Sequence, residues 1–97
     1  MEKSYYESTL KALGHIEVPA ELRERMGWEY GTRLNALISE AAGKITLLTK
    51  DDGEIQVDNL GRIQLSEGSR KLLEWNENDP FEFCLDFDKV DLWRFAE

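Results

Sequence analysis

The chain has 97 residues, of which 41% are hydrophobic and 33% charged, with a formal net charge of -8 at pH 7. This length and apolar share suit one small domain with one core, and they exclude a chain dominated by disorder. The negative charge weighs against non-specific binding to nucleic acid or membrane, yet a sum of charges leaves room for a local basic face.

In chain order, a strand is expected around Tyr5–Ala12. A second follows in the alternating run Gly14-His15-Ile16-Glu17-Val18, where Ile and Val point to one face and polar residues to the other. Pro19 suits the start of a helix, because its missing N–H is not needed there. The helix body is Ala20–Met26, with Leu22 and Met26 sharing a face and Gly27 as a left-handed stop. Trp28 then packs back on the core. Glu29-Tyr30-Gly31-Thr32 carries turn chemistry. A hairpin of Leu34–Ser39 and Lys44–Thr49 follows, with Ala42-Gly43 at its tip.

Asp51-Asp52-Gly53 is a turn signal. Beyond it the same elements are expected again: a strand around Glu54–Asp58, then the alternating run Gly61-Arg62-Ile63-Gln64-Leu65. Next come an N-cap at Ser66 and a helix over Glu67–Leu73, with Ser69 and Leu73 on one face. Glu74 stands where the first helix has its glycine stop. Trp75 follows, then a turn at Asn76–Pro80. The last hairpin is Phe81–Asp86 with Lys89–Phe95, and Asp88-Lys89 at its tip.

The chain repeats itself. At an offset of 47 positions Gly14 falls on Gly61, Ile16 on Ile63, Arg23 on Arg70 and Trp28 on Trp75. Val18 meets Leu65, Met26 meets Leu73, Leu34 meets Phe81 and Ile38 meets Leu85. After a loop two residues longer in the first copy, Lys44-Ile45-Thr46-Leu47 falls on Lys89-Val90-Asp91-Leu92. A unit with one short helix cannot bury its apolar faces alone, so each copy is expected to supply the other's missing half. The expected fold is mainly β with two short helices, an α+β class. It is one domain over residues 1–97, made of repeats at about 5–50 and 54–95 that close into a small barrel.

The run Val57-Asp58-Asn59-Leu60-Gly61-Arg62-Ile63-Gln64-Leu65, with the helix after it, resembles the start of the AbrB/SpoVT/MazE-like DNA-binding domain. Asn78-Asp79-Pro80-Phe81-Glu82-Phe83 resembles the segment that leads into that family's hairpin. The first copy, Gly14-His15-Ile16-Glu17-Val18-Pro19 through Trp28, is a more degenerate match. It keeps a proline and a helix-ending glycine that the second copy lacks. The resemblance implies a swapped-hairpin, double-split barrel in which one chain forms a pseudo-dimer. MraZ proteins carry two such copies with a D-x-x-x-R motif in each. Asp58 and Arg62 match that motif, whereas Lys11 and His15 in the first copy do not.

The resemblance implies contacts to double-stranded DNA by Arg62, Arg70 and Lys71 in the second copy, and by Arg23 and the strand residue His15 in the first. Guanidinium groups can fork onto phosphates or guanine edges. Because His15 replaces the arginine and Glu24 stands where Lys71 does, the two halves of such a site are unequal. Arg62 can also pair with Asp58. The expected function is a sequence-specific transcriptional regulator. Two alternatives are an antitoxin of a toxin–antitoxin pair, and an interaction module that has lost DNA binding. Antitoxins of this family carry a C-terminal arm, and here only Ala96-Glu97 follow the last strand. An interaction module would use the acidic hairpins, with Tyr5, Tyr6 or Trp93 as anchors. Exposed barrel edges also admit a homodimer.

No catalytic constellation, cofactor motif or metal-binding spacing is visible, and a non-enzyme is expected. The acidic run Glu74 to Asp91 reads as a solvated hairpin face, since it lacks calcium-loop spacing. The single cysteine, Cys84, excludes an intramolecular disulfide and reads as a small buried hydrophobe. No apolar run approaches the roughly 18 residues of a membrane span. Met1–Tyr6 does not read as a signal peptide, so a reducing cytoplasm is expected.

Overall fold

A computed structural model describes residues 2–95. Ala96 and Glu97, where the sequence reading placed the end of the chain beyond its last strand, lie outside the described residues. The elements are β1 (Ser4–Thr9), a 3-10 turn (Ala12–Gly14), β2 (His15–Glu17), α1 (Ala20–Met26), β3 (Arg33–Ser39) and β4 (Lys44–Thr49). The second set is β5 (Ile55–Gln56), β6 (Arg62–Gln64), α2 (Glu67–Leu73), β7 (Pro80–Asp86) and β8 (Lys89–Arg94). Both helices span the residues expected from their apolar spacing. The fold is mainly β with two helices.

The local signals explain the helix ends. In α2 the Ser66 hydroxyl accepts the Ser69 N–H at 3.1 Å, satisfying one of the first-turn donors. Pro19 precedes α1 in extended conformation, and no side chain caps that end. Gly27 closes α1 with φ of 70°; Glu74 closes α2 in the same left-handed region, with φ of 58°. A non-glycine residue there carries strain that the following turn must hold. Two expectations are corrected. Phe87-Asp88 forms the second hairpin's tip in place of Asp88-Lys89, with Phe87 at φ of 62°. The leading strand of the second copy is two residues long, with only Ile55 and Gln56 paired on β3.

The six-stranded sheet has the order β1-β7-β8-β4-β3-β5 and curls into a half-barrel, and β2 and β6 pair as a separate ribbon. Each leading strand joins the hairpin of the other copy: β1 lies antiparallel on β7, and β5 lies antiparallel on β3. The registers obey the sequence offset. Ser8 faces Phe81 in one half, and its counterpart Ile55 faces Leu34, the counterpart of Phe81. Two ladders are centred on a residue and its own counterpart: Ile16 opposite Ile63 in the ribbon, and Thr46 opposite Asp91 between β4 and β8. These centres define an approximate two-fold axis.

Leu22, Trp28, Leu34, Ile45, Ile63, Phe81, Phe83 and Leu92 are among the buried residues of one core to which both copies contribute. Burying side chains of this size stabilises by roughly 1.5–3 kcal/mol each before entropy is charged against it. Trp75 meets Phe81 edge to face, with ring centroids 4.6 Å apart. Cys84 is buried as expected; burial raises its thiol pKa above the ordinary value, which keeps it protonated. Asp91, assigned from sequence to the acidic solvated face, is instead buried on the axis. It accepts Thr46 Oγ1 at 2.6 Å and Lys44 Nζ at 3.4 Å. Its position opposite its own counterpart, unreadable from charge pattern, explains the difference. Among the described residues, no helix is long and apolar enough to cross a membrane.

Candidate nucleic-acid interface

The two-stranded ribbon of β2 and β6 carries His15 and Arg62; Arg23 lies on α1, and Arg70 and Lys71 on α2. Alternation buries Ile16 and Ile63 and turns His15, Glu17, Arg62 and Gln64 outward. Across the ladder His15 faces Gln64 and Glu17 faces Arg62. The ribbon therefore presents a polar face that both copies build.

Arg62 is held by its own turn. Asp58 Oδ1 accepts the backbone N–H of Leu60 at 2.9 Å and of Arg62 at 2.8 Å, and Asp58 Oδ2 accepts Arg62 Nε at 2.8 Å. Partial burial pushes the Asp58 carboxyl up. The Arg62 N–H and guanidinium, with the Leu60 N–H, outweigh that and hold it below the usual carboxylate value. The ion pair anticipated between Asp58 and Arg62 is present, so Arg62 points along the turn while its side chain remains partly exposed.

Arg23 and Arg70 take equivalent positions. Arg23 Nε donates to the Val18 carbonyl at 2.9 Å, and Arg70 Nε to the Leu65 carbonyl at 3.2 Å. Each guanidinium lies on the glycine of the opposite copy. A Cβ on Gly61 would stand 2.5 Å from Arg23 Cζ, and one on Gly14 would stand 2.6 Å from Arg70 Nε. Both glycines also have positive φ, 76° and 83°. Only glycine meets both demands at once. Arg23 and Arg70 thus brace helix, strand and turn across the two copies, a structural role that sequence reading did not assign them. Both arginines are partly buried in these positions.

His15 is half-buried, with Nδ1 3.2 Å from the Ala12 carbonyl oxygen. Gln64 Nε2 donates to the Leu13 carbonyl at 2.8 Å. Lys71 stands apart on the exposed face of α2, with Nζ 4.0 Å from Glu67 Oε1. The structure thus brings Arg62, Arg70, Arg23 and His15 to one ribbon and leaves Lys71 on the neighbouring helix. On the ribbon itself Arg62 faces Glu17 and is paired with Asp58, while Arg23 and Arg70 reach its turns from helices that also carry Glu21, Glu24 and Glu67.

Two residues here were missed by sequence reading. Leu13 and Leu60 are counterparts under the offset, each just before the glycine, and they are 72% and 61% exposed. Their shared spacing was a readable signal, since two leucines in equivalent turns fit neither strand alternation nor a buried face. Of the anchors expected for a protein partner, Tyr5 is exposed. Tyr6 and Trp93 are half-buried and hydrogen-bonded, to Glu21 at 3.2 Å and Glu82 at 3.1 Å. Among the described residues, no group of three or more His, Cys, Asp or Glu is placed to hold a metal ion. No protein-family model matches the chain, and no curated protein matches it either.

Proposed function

We propose that the chain is a non-enzymatic, DNA-binding transcriptional regulator of AbrB type, in which one polypeptide supplies both halves of the swapped-hairpin barrel. The observation that carries this reading is the β2–β6 ribbon, whose polar face displays Arg62 and is flanked at its two glycine turns by Arg23 and Arg70. Arg62, pre-oriented by Asp58, is the direct candidate for a phosphate or guanine contact. Lys71, Arg23 and Arg70 add charge around it. The halves are unequal, because His15 replaces the counterpart of Arg62, so the site read would be asymmetric.

The test is enrichment of the purified protein on random duplex DNA at low and moderate salt. Arg62→Gln and Lys71→Ala are the variants of choice, since Arg70 also braces the fold. Removing one phosphate contact should lower the slope of log K against log salt by about 0.9 and weaken binding on all sequences alike. A base contact would instead relax sequence preference. No retention at low salt would overturn the reading.

A second reading, an interaction module that has lost DNA binding, is favoured by Leu13 and Leu60. Such exposed leucines at the rim of a polar face suit a protein partner. Retention of a protein partner, lost on Leu13→Ser with Leu60→Ser and independent of Arg62, would select it.

A further inference from the structure

We propose that the free edge of β3 pairs with the same edge of a second copy, giving a two-fold dimer through a continuous sheet. This goes beyond the DNA-binding reading and does not depend on it.

The two ends of the main sheet are unequal. On β7, β1 pairs from Ser4 to Thr9 and covers the strand along its length. On β3, the equivalent partner β5 pairs only with Arg33 and Leu34. Among the described residues, Asn35–Ser39 therefore have a strand on one side only, β4. The Val57 N–H donates to the Thr32 carbonyl on the β5 side, and the Lys50 N–H to the Arg33 carbonyl on the β4 side. Alternation along the strand then aims the N–H and C=O groups of Ala36 and Ile38 at the open edge.

The side chains match this exposure. Leu37 is 54% exposed and Ile38 40%, while their counterparts Cys84 and Leu85 are buried under β1. Ala36 stands where the other half has Phe83, and beneath it lies an open groove of about 520 Å³ with an apolar side that includes Ala36, Ile38 and Ile45 and a polar side that includes Glu54, Glu67 and Arg70. No residue from Asn35 to Ser39 is charged. Edges that must stay unpaired usually carry charge, proline or a bulge. The edge strand at the other end, β1, carries Glu7 and is preceded by Glu2 and Lys3.

One register satisfies all of this. If Leu37 lies opposite Leu37 of the second copy, Ala36 faces Ile38 of that copy and Ile38 faces Ala36. Both such pairs are the hydrogen-bonding type, and the uncharged segment is centred on the axis. Ile38 of the second copy then lies beside the small Ala36, over the groove. Shifting the centre toward Leu34 would collide with β5, and shifting it toward Glu40 would bring carboxylates onto the interface. The occupant is therefore a second copy of this chain, whose own edge is the complementary one.

Sedimentation equilibrium of the full chain over a range of concentrations tests the proposal. The mass should rise from one chain toward two, and Leu37→Lys should hold it at one chain with an unchanged far-ultraviolet circular dichroism spectrum. In a Cys84→Ala background, Leu37→Cys should cross-link to a covalent dimer on mild oxidation. Opposed Cα atoms of a non-hydrogen-bonded pair lie near 4.5 Å, within disulfide reach. Ile38→Cys, whose opposite residue is Ala36, should not. A mass of one chain up to about millimolar protein would overturn the proposal, as would a dimer that persists in Leu37→Lys or cross-links equally at both positions.

Discussion

Asp58 does two jobs with one carboxylate: it closes the turn before β6 and orients Arg62. Its folded pKa is lowered, so its contribution to stability is present above the ordinary carboxylate range and is lost as pH falls through the folded value. Asp58→Asn keeps one acceptor and removes the charge. It should cost about 1 kcal/mol at neutral pH, and the difference from the parent chain should shrink toward pH 3. Urea melts at the two pH values measure this; a difference independent of pH would assign the cost to packing. The arginines differ in kind. Arg62 was legible as a candidate contact because its motif lies within one turn of chain. The roles of Arg23 and Arg70 were not legible, because each rests on a glycine 38 or 56 positions away in the other copy. Such a destination is a property of the fold, absent from local pattern.

The helices show how much an element can carry in its own residues. Apolar spacing and end signals place α1 and α2 where the chain alone predicts them, since short helices are bounded by local chemistry. The two are capped differently, and this is testable. Ser66→Ala should cost about 1 kcal/mol by leaving the Ser69 N–H without its side-chain acceptor. Thermal melts of this variant and of Ser69→Ala separate the cap from the hydroxyl contact between the two serines at 2.7 Å. Strands were harder to bound. The strand expected around Glu54–Asp58 keeps only two residues in the ladder, Ile55 and Gln56, and Gly53 before it packs against the Leu34 backbone. A Cβ on it would stand 2.3 Å from the Leu34 carbonyl oxygen. Alternation reports which face a side chain takes. It does not report how long a neighbour stays alongside.

For the molecule as a whole, each copy is completed by the other: β1 on β7, β5 on β3, β2 on β6 and β4 on β8. The strand pairing joins elements within residues 4–49 to elements within residues 55–94. A chain divided at Asp51–Gly53 should therefore give two fragments that are unfolded separately and regain structure when mixed in equal amounts. Far-ultraviolet circular dichroism and tryptophan fluorescence of the fragments and the mixture measure it, and a fragment that folds alone would contradict the scheme. The buried Asp91 between Lys44 and Thr46 lies at the centre of this arrangement. It is a polar, single-register contact in the middle of the β4–β8 ladder. Truncating Thr46 would leave Asp91 only the 3.4 Å contact to Lys44 Nζ, and truncating Lys44 would leave it only Thr46 Oγ1 at 2.6 Å.

The pairing of β1 with β7 also bears on how the protein is made. Ser4 finds its partner at Leu85, so β1 has no strand to pair with until β7 has been synthesised. Long-range pairings of this kind slow folding, since loop closure comes before any reward from contact. During synthesis the nascent amino-terminal half must wait with Leu34, Ile45 and Leu47 uncovered, a waiting time set by translation at about 5–20 residues per second. Slow codons between β4 and β7 would lengthen that exposure.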